Sequence, residues 1–117
     1  KSPLTPNELG RTVFVCGLSN DLKSYRSLFL NAREVHQMLG KVAEEFLEKR
    51  NLVLLQQAFS QLHSQIPVGS VYLGVDDKEK SKLVIKVRLP DKEEIPVPIG
   101  TITTVGAVLR LLEPHVA

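Results

Sequence analysis

The chain is poor in the residues that build disulfide frameworks and aromatic binding platforms. Its 117 residues include one cysteine, no tryptophan and 5% aromatic residues. The single Cys16 cannot form a disulfide within the chain, which agrees with a reducing compartment. No stretch approaches the ~18 consecutive apolar residues of a membrane-spanning helix, and residues 1–10 lack the apolar core of a signal peptide. We therefore expect an intracellular chain, cytoplasmic or nuclear, that makes no use of a membrane.

Metal-binding and catalytic arrangements are missing as well. The cysteine and the histidines show no zinc-ligand spacing such as two close pairs; the histidines are His36, His63 and His115. The acid pairs at 44–45 and 93–94 lie in stretches typical of solvated surface, whereas general acid–base catalysis needs carboxylates in a cleft. No glycine-rich phosphate-binding loop is present. The sequence predicts no metal, no cofactor and no enzymatic activity.

What is present is the composition of an ordinary globular domain. Apolar residues make up 43% and charged residues 24%, with a net charge of +2, so disorder is not indicated and a polyanionic partner is neither required nor excluded. Residues 1–10 are expected to form an extended lead-in with at most one helical turn, capped by Thr5 and ended by Gly10. Residues 11–117 are expected to form one domain, and the termini suggest a piece of a longer protein.

Helical periodicity is strongest in residues 31–66. Asn31 followed by Glu34 is a capping-box pattern, and Asn51 can end one helix and begin the next. The pattern predicts a short helix over 22–30 and then either two helices, 31–50 and 52–64, or one bent helix. Two apolar stripes result, one of Val35, Met38, Leu39, Val42, Phe46 and Leu47 and the other of Leu52, Leu55, Phe59, Leu62 and Ile66.

The remaining elements are predicted as strands and a last helix. Residues 12–16 are apolar in both alternating sets, which predicts a strand buried on both faces and a buried, unreactive Cys16. Residues 71–75 and 82–89 alternate with a period of two and predict an antiparallel hairpin. In residues 95–99, two prolines at alternate positions remove donors along one side, which predicts an edge strand with a blunted outer edge. Residues 105–113 have apolar residues at helical spacing, which predicts the last helix.

These elements together predict an α+β fold. Their order is strand, helices, a three-strand meander and helix, with the helices packed on one face of a mixed four-stranded sheet. The first connection is long enough for a crossover, so the first strand can lie parallel to a neighbour. The strand order is left open.

One stretch resembles a known family. Residues 13–18, followed by a helix with Leu22 and Phe29, resemble the first strand and first helix of the RNA-recognition motif. The family's second signature, a strand carrying stacking aromatic rings, has no counterpart in this chain. The family is therefore not assigned, and no other resemblance is found.

Two hypotheses about function follow from the residues left over. The first is a non-enzymatic interaction domain, an adaptor or scaffold, that binds another protein or another region of its own full-length chain through its helical surface. Val53 and Leu54 support it, because they fall off the apolar stripe of their helix and are expected to contact the partner. The oligomeric state is not predicted.

The alternative hypothesis is a small RNA- or single-stranded-DNA-binding module. Lys82, Lys86 and Arg88 share one face of a strand, and Tyr72 is expected on the same face of the hairpin. Basic side chains beside an aromatic ring can hold a single strand by charge and stacking. An exposed sheet face must be polar in any case, however, and nearby acids can offset this charge.

Overall fold

Helices fill the first half of the chain and an antiparallel sheet fills the second. The computed structural model describes residue 3 and residues 5–116. The helices are α1 (Pro6–Ser19), α2 (Leu22–Ser27), α3 (Ala32–Leu39), α4 (Ala43–Lys49) and α5 (Leu52–Gln65), with a 3₁₀ turn at Gly40–Val42. The strands are β1 (Val71–Asp76), β2 (Lys82–Arg88), β3 (Glu94–Val105) and β4 (Val108–Pro114). The predicted α+β fold, with helices packed against a four-stranded sheet, is confirmed.

The sheet is antiparallel with the order β1-β2-β3-β4. On β2, Leu83, Ile85 and Val87 are buried under the helices, and the alternate residues face outward. A strand with one buried face needs this period of two. The main core lies between that inner face and helices α1, α2 and α5.

The strand predicted at residues 12–16 is wrong, because these residues lie in the middle of α1. Thr5 caps this helix as predicted, accepting from the Glu8 backbone N–H at 3.2 Å, but Gly10 continues it rather than ending it. The buried residues of α1 recur at helical spacing and are Leu9, Gly10, Val13, Phe14, Cys16 and Gly17. The exposed Val15 lies among them, so the apolar run also fits an alternating pattern. The burial of Cys16 is confirmed, at 3% exposure, although in a helix, and the resemblance to an RNA-recognition strand has no basis in the fold.

The helix predicted at residues 105–113 is also wrong, because this segment forms most of β4. A tight turn at Gly106, whose φ is 62°, folds β4 back along the second half of β3 and pairs Ile102 with Leu111. On its other side Leu111 bonds to the chain after α2: its N–H donates to the Leu28 carbonyl at 2.8 Å, and its carbonyl accepts from the Leu30 N–H at 2.9 Å. The fourth strand therefore comes last in the chain, and the four paired strands are antiparallel rather than mixed.

The helical run over residues 31–66 is broken twice. Gly40, with φ 59°, ends α3, and the predicted caps at Asn31 and Asn51 begin α3 and α5. Met38 and Val42, on either side of the break at Gly40, are exposed, so the first predicted stripe is only partly buried. In the second stripe the four residues from Leu55 to Ile66 are buried, and Leu52 is 43% exposed.

The proline-containing half of β3 lies at an edge, as predicted. Pro96 is opposite Lys86 and Pro98 is opposite Val84, whereas pairing with β4 begins at Gly100. Gly100 does not end the strand. A Cβ at this position would lie 2.1 Å from the Glu113 carbonyl oxygen, so the close approach of β3 and β4 requires glycine.

A second, smaller core lies beside β4. Its buried residues are Leu30, Val35 and Ala43, and the half-buried Leu39, Phe46, Leu47, Val105 and Leu112 pack around them. Helices α3 and α4 cover this smaller core, whereas α5 covers the main core.

Candidate functional site

The exposed side of α5 differs from an ordinary solvated face in carrying no charge. One side of the helix is buried through Leu55, Ala58, Phe59 and Leu62. None of the fourteen residues of α5 is Asp, Glu, Lys or Arg, although charged residues are 24% of the chain. The exposed side chains are Leu52, Val53, Gln56, Gln57, Ser60, His63, Ser64 and Gln65. We call these eight residues the α5 face.

The uncharged stretch extends beyond α5. From residue 51 to residue 75 inclusive, 25 positions, the chain contains no Asp, Glu, Lys or Arg. Eight large hydrophobic side chains are exposed among the described residues, and five of them fall in this stretch, namely Leu52, Val53, Val68, Val71 and Leu73. The absence of charged residues from positions 51–75 can be read from the sequence and indicates this surface. The spacing of apolar residues does not reveal it.

The two predicted partner-binding residues have different environments. Val53 is exposed, at 71%, as predicted. Leu54 is half-buried, and its backbone N–H donates to the Asn51 side-chain oxygen at 3.0 Å. Val53 therefore belongs to the α5 face, whereas the half-buried Leu54 does not.

Helix α5 is held firmly against α1. The His63 ring donates from Nδ1 to the Gly17 carbonyl at 2.6 Å, which fixes the proton on that nitrogen, and the ring stacks on Phe59. A Cβ at Gly17 would lie 3.0 Å from Leu62, so glycine permits this close helix crossing. The α5 face is consequently a pre-formed surface on a fixed helix.

The residues of the nucleic-acid hypothesis do not share a face. Tyr72 pairs with Val87 and therefore points toward the helices, where its hydroxyl donates to the Asn7 side-chain oxygen at 2.9 Å and its ring lies under Arg11. The predicted position of Tyr72 is wrong because a bulge at Leu73 reverses the alternation within β1.

The three predicted basic residues do lie on the outer face of the sheet. Lys82, Lys86 and Arg88 are exposed on β2. Lys82 lies 3.5 Å from a Glu79 carboxylate oxygen, and Arg88 lies 3.4 Å from one of Glu94. Neighbouring acids thus offset two of the three charges.

The described residues contain no group of three or more His, Cys, Asp or Glu side chains placed to hold a metal ion. His36 instead pairs with Glu44 at 2.8 Å. Among the same residues, no helix has the length and apolar character needed to cross a membrane.

Comparison of the chain with protein-family models, with curated proteins and with solved structures found no match.

Proposed function

We propose that this chain is a non-enzymatic protein-interaction domain that binds its partner through the α5 face. The single observation that carries the proposal is the absence of charge from the eight exposed residues of α5. At 24% charged residues, about two would be expected there. Depletion of charge is the compositional mark of the centre of a protein interface, where side chains lose their water.

The chemistry of the α5 face indicates the kind of partner it suits. Val53 and Leu52 supply apolar contact at one end, and Gln57, Ser60 and Ser64 continue the exposed side with uncharged polar groups. An amphipathic helix of another protein, with an apolar stripe and uncharged polar flanks, would complement this surface. Binding of this kind draws little on ionic contacts and should change little with salt.

The nucleic-acid alternative has weaker support. It retains Lys82, Lys86 and Arg88, but Tyr72 lies on the other side of the sheet and acids offset two of these cations. A single-strand binding surface needs exposed aromatic rings beside the charges. We therefore treat nucleic-acid binding as an outcome of the test below.

The proposal is tested by affinity capture with the intact chain, in the presence and absence of nuclease, followed by mass spectrometry. One variant carries Val53→Glu and Gln57→Glu, which place two charges on the α5 face without changing a buried residue. The matched control carries Val42→Glu and Gln37→Glu, an exposed valine and an exposed glutamine outside α5. Sedimentation of the purified chain is measured alongside, so that self-association is recognised.

We expect a partner protein that survives nuclease treatment, is retained by the control variant and is lost by the α5 variant. A partner retained by the α5 variant would contradict the assignment of the surface. Capture that disappears with nuclease would instead support nucleic-acid binding. Concentration-dependent dimerisation abolished by the α5 variant would identify the partner as a second copy of this chain.

A further inference from the structure

A cleft between the helices and β4 brings together four cationic side chains. It has a volume of about 560 Å³ and is lined by residues of α2, the start of α3, α5 and β4, and by Arg50, which follows α4. Its lining includes one carboxylate, that of Glu34, and four cations, namely Lys23, Arg26, Arg50 and Arg110. These five side chains sum to +3, whereas the whole chain carries +2.

The positive charge of the cleft is poorly compensated. Arg110 approaches Glu34 at 3.8 Å, which is a long ion pair, and Glu34 already accepts from the Asn31 backbone N–H at 3.1 Å. Within the part of the chain that the structure describes, no carboxylate lies within ion-pair distance of Lys23, Arg26 or Arg50. On β2, by contrast, two of the three predicted cations, Lys82 and Arg88, are paired with carboxylates.

Arg50 is the most unusual of the four cations. It is 8% exposed, and its guanidinium donates to the Leu112 carbonyl at 2.8 Å and to the Leu30 carbonyl. The rings of Phe29 and Phe46 lie within 5.6 Å and 5.2 Å of it, and Nε has no partner. Burial lowers the pKa of Arg50, and the charge of Glu113 opposes that shift.

A buried guanidinium with no carboxylate within ion-pair distance raises the positive potential of the space beside it, because charge is screened less there than in water. Arg50 is already held in place by two carbonyls and two rings, so binding an anion would not require it to reorganise. An anion in the cleft would gain from this fixed charge and from direct contacts with the more exposed arginines.

We propose that this cleft binds the phosphate monoester group of a small molecule, with Arg26 and Arg110 as its direct contacts and Lys23 and Arg50 as supporting charges. A phosphate monoester carries about −1.5 to −2 charge at pH 7 and offers three acceptor oxygens. It therefore matches the +3 charge of the cleft better than a ligand with one carboxylate group would. An arginine guanidinium can donate two parallel hydrogen bonds to the oxygens of a phosphate group. The cleft is also larger than a phosphate ion and falls within the range of roughly 300 to 1,000 Å³ for small-molecule sites.

The test is an amide NMR titration of the intact chain with glycerol 3-phosphate, inorganic phosphate and glycerol. The variant carries Arg26→Gln and Arg110→Gln, since Arg50 supports two backbone carbonyls and its loss could unfold the protein. The matched control carries Lys82→Gln and Lys86→Gln, which remove the same charge from the outer sheet face. Thermal unfolding of each variant confirms that it is folded.

We expect glycerol 3-phosphate to produce saturable shifts centred on residues 23–34 and 110, with weaker binding of inorganic phosphate and no shifts with glycerol. The cleft variant should bind about tenfold more weakly or worse, the factor for losing one charge-assisted hydrogen bond. The control should bind as the unchanged protein does. Equal binding by the cleft variant, or no saturation, would overturn the proposal. A single-stranded oligonucleotide that bound the same residues more tightly than the monoester would identify a nucleic-acid backbone as the ligand instead.

Discussion

Helices α4 and α5 follow each other in the chain, separated by Arg50 and Asn51, yet they show opposite surfaces. In α4 four of seven residues are charged. Glu45 pairs with Lys49 at 3.5 Å, and Glu44 pairs with His36. In α5 none of fourteen residues is charged.

The two helices also cover different interiors. Helix α4 covers the smaller core of three buried residues, with Phe46 and Leu47 only half-buried. Helix α5 inserts Phe59 and Leu62 into the main core. The apolar inner side of α5 is enough to pack the helix on the main core. The lack of charge on its outer side is therefore not explained by the fold. The charged outer side of α4 is typical of a solvated face, and the uncharged α5 face supports the proposed binding role.

The largest expected effect is on the buried side of α5. Phe59→Ala should lower the free energy of unfolding by about 3 to 5 kcal/mol, the usual cost of emptying a fully buried phenylalanine site. Phe59 is 5% exposed and lies 5.1 Å from the Tyr25 ring, centroid to centroid. Urea unfolding followed by circular dichroism measures the change. An unchanged midpoint would mean that α5 does not close the main core.

The corresponding change in α4 should cost less. Phe46 is half-buried against the Arg50 guanidinium, so Phe46→Ala should lower stability by about 1.5 to 2.5 kcal/mol, roughly half the cost for a fully buried ring. The same urea experiment gives the value. A cost equal to that of Phe59→Ala would show that the smaller core contributes as much as the main one.

The pH dependence of stability tests the burial of Cys16 in the main core. Burial raises the pKa of the Cys16 thiol to about 11 from its ordinary value of 9.0, with the charge of Asp21 as a lesser cause. The unfolded chain therefore loses this proton first, so the thiol's contribution to stability is complete below pH 9 and is lost as pH rises toward 11. Unfolding in urea at pH 8 and pH 10 should show this loss, and a Cys16→Ala variant should lack that part of it. Rapid labelling of the native thiol at pH 8 would contradict the burial.

The smallest expected effect on stability is on the exposed side of α5. Val53→Glu with Gln57→Glu should change the free energy of unfolding by no more than about 0.5 kcal/mol, as is usual for surface substitutions. Residue 53 lies in the first turn of α5, where a negative charge interacts favourably with the helix dipole. A loss comparable to that of Phe59→Ala would show that the α5 face is part of the fold rather than a binding surface.

The elements that the sequence predicts correctly are those decided by neighbouring residues. Strand β2 alternates strictly because one of its faces is buried, and the caps at Asn31 and Asn51 bond to backbone three residues away. The sequence mispredicts the segments of α1 and β4 because their many apolar residues fit both a helical and an alternating pattern. Contacts far along the chain decide them, such as the pairing of Leu111 with residues 28–30.

The residues of the candidate sites also divide into those that local spacing predicts and those that it does not. The exposure of Val53 follows from helical spacing alone, so the sequence predicts it. The position of Tyr72 depends on one extra residue in β1, which a strict alternation cannot foresee. The cleft brings together Arg26, Arg50 and Arg110 from distant parts of the chain, so no local pattern could have indicated it.

The central claim is that the α5 face binds a protein without relying on charge, and the most direct test is the affinity for the captured partner at low and high salt. We expect the unchanged protein and the Val42→Glu, Gln37→Glu control to bind equally, with affinity changing less than about threefold between 50 and 200 mM salt, where six to ten phosphate contacts would cost about 10³ to 10⁵. The Val53→Glu, Gln57→Glu variant should show no measurable binding while remaining folded. Equal affinity of all three proteins, or a steep loss of affinity with salt, would contradict the account.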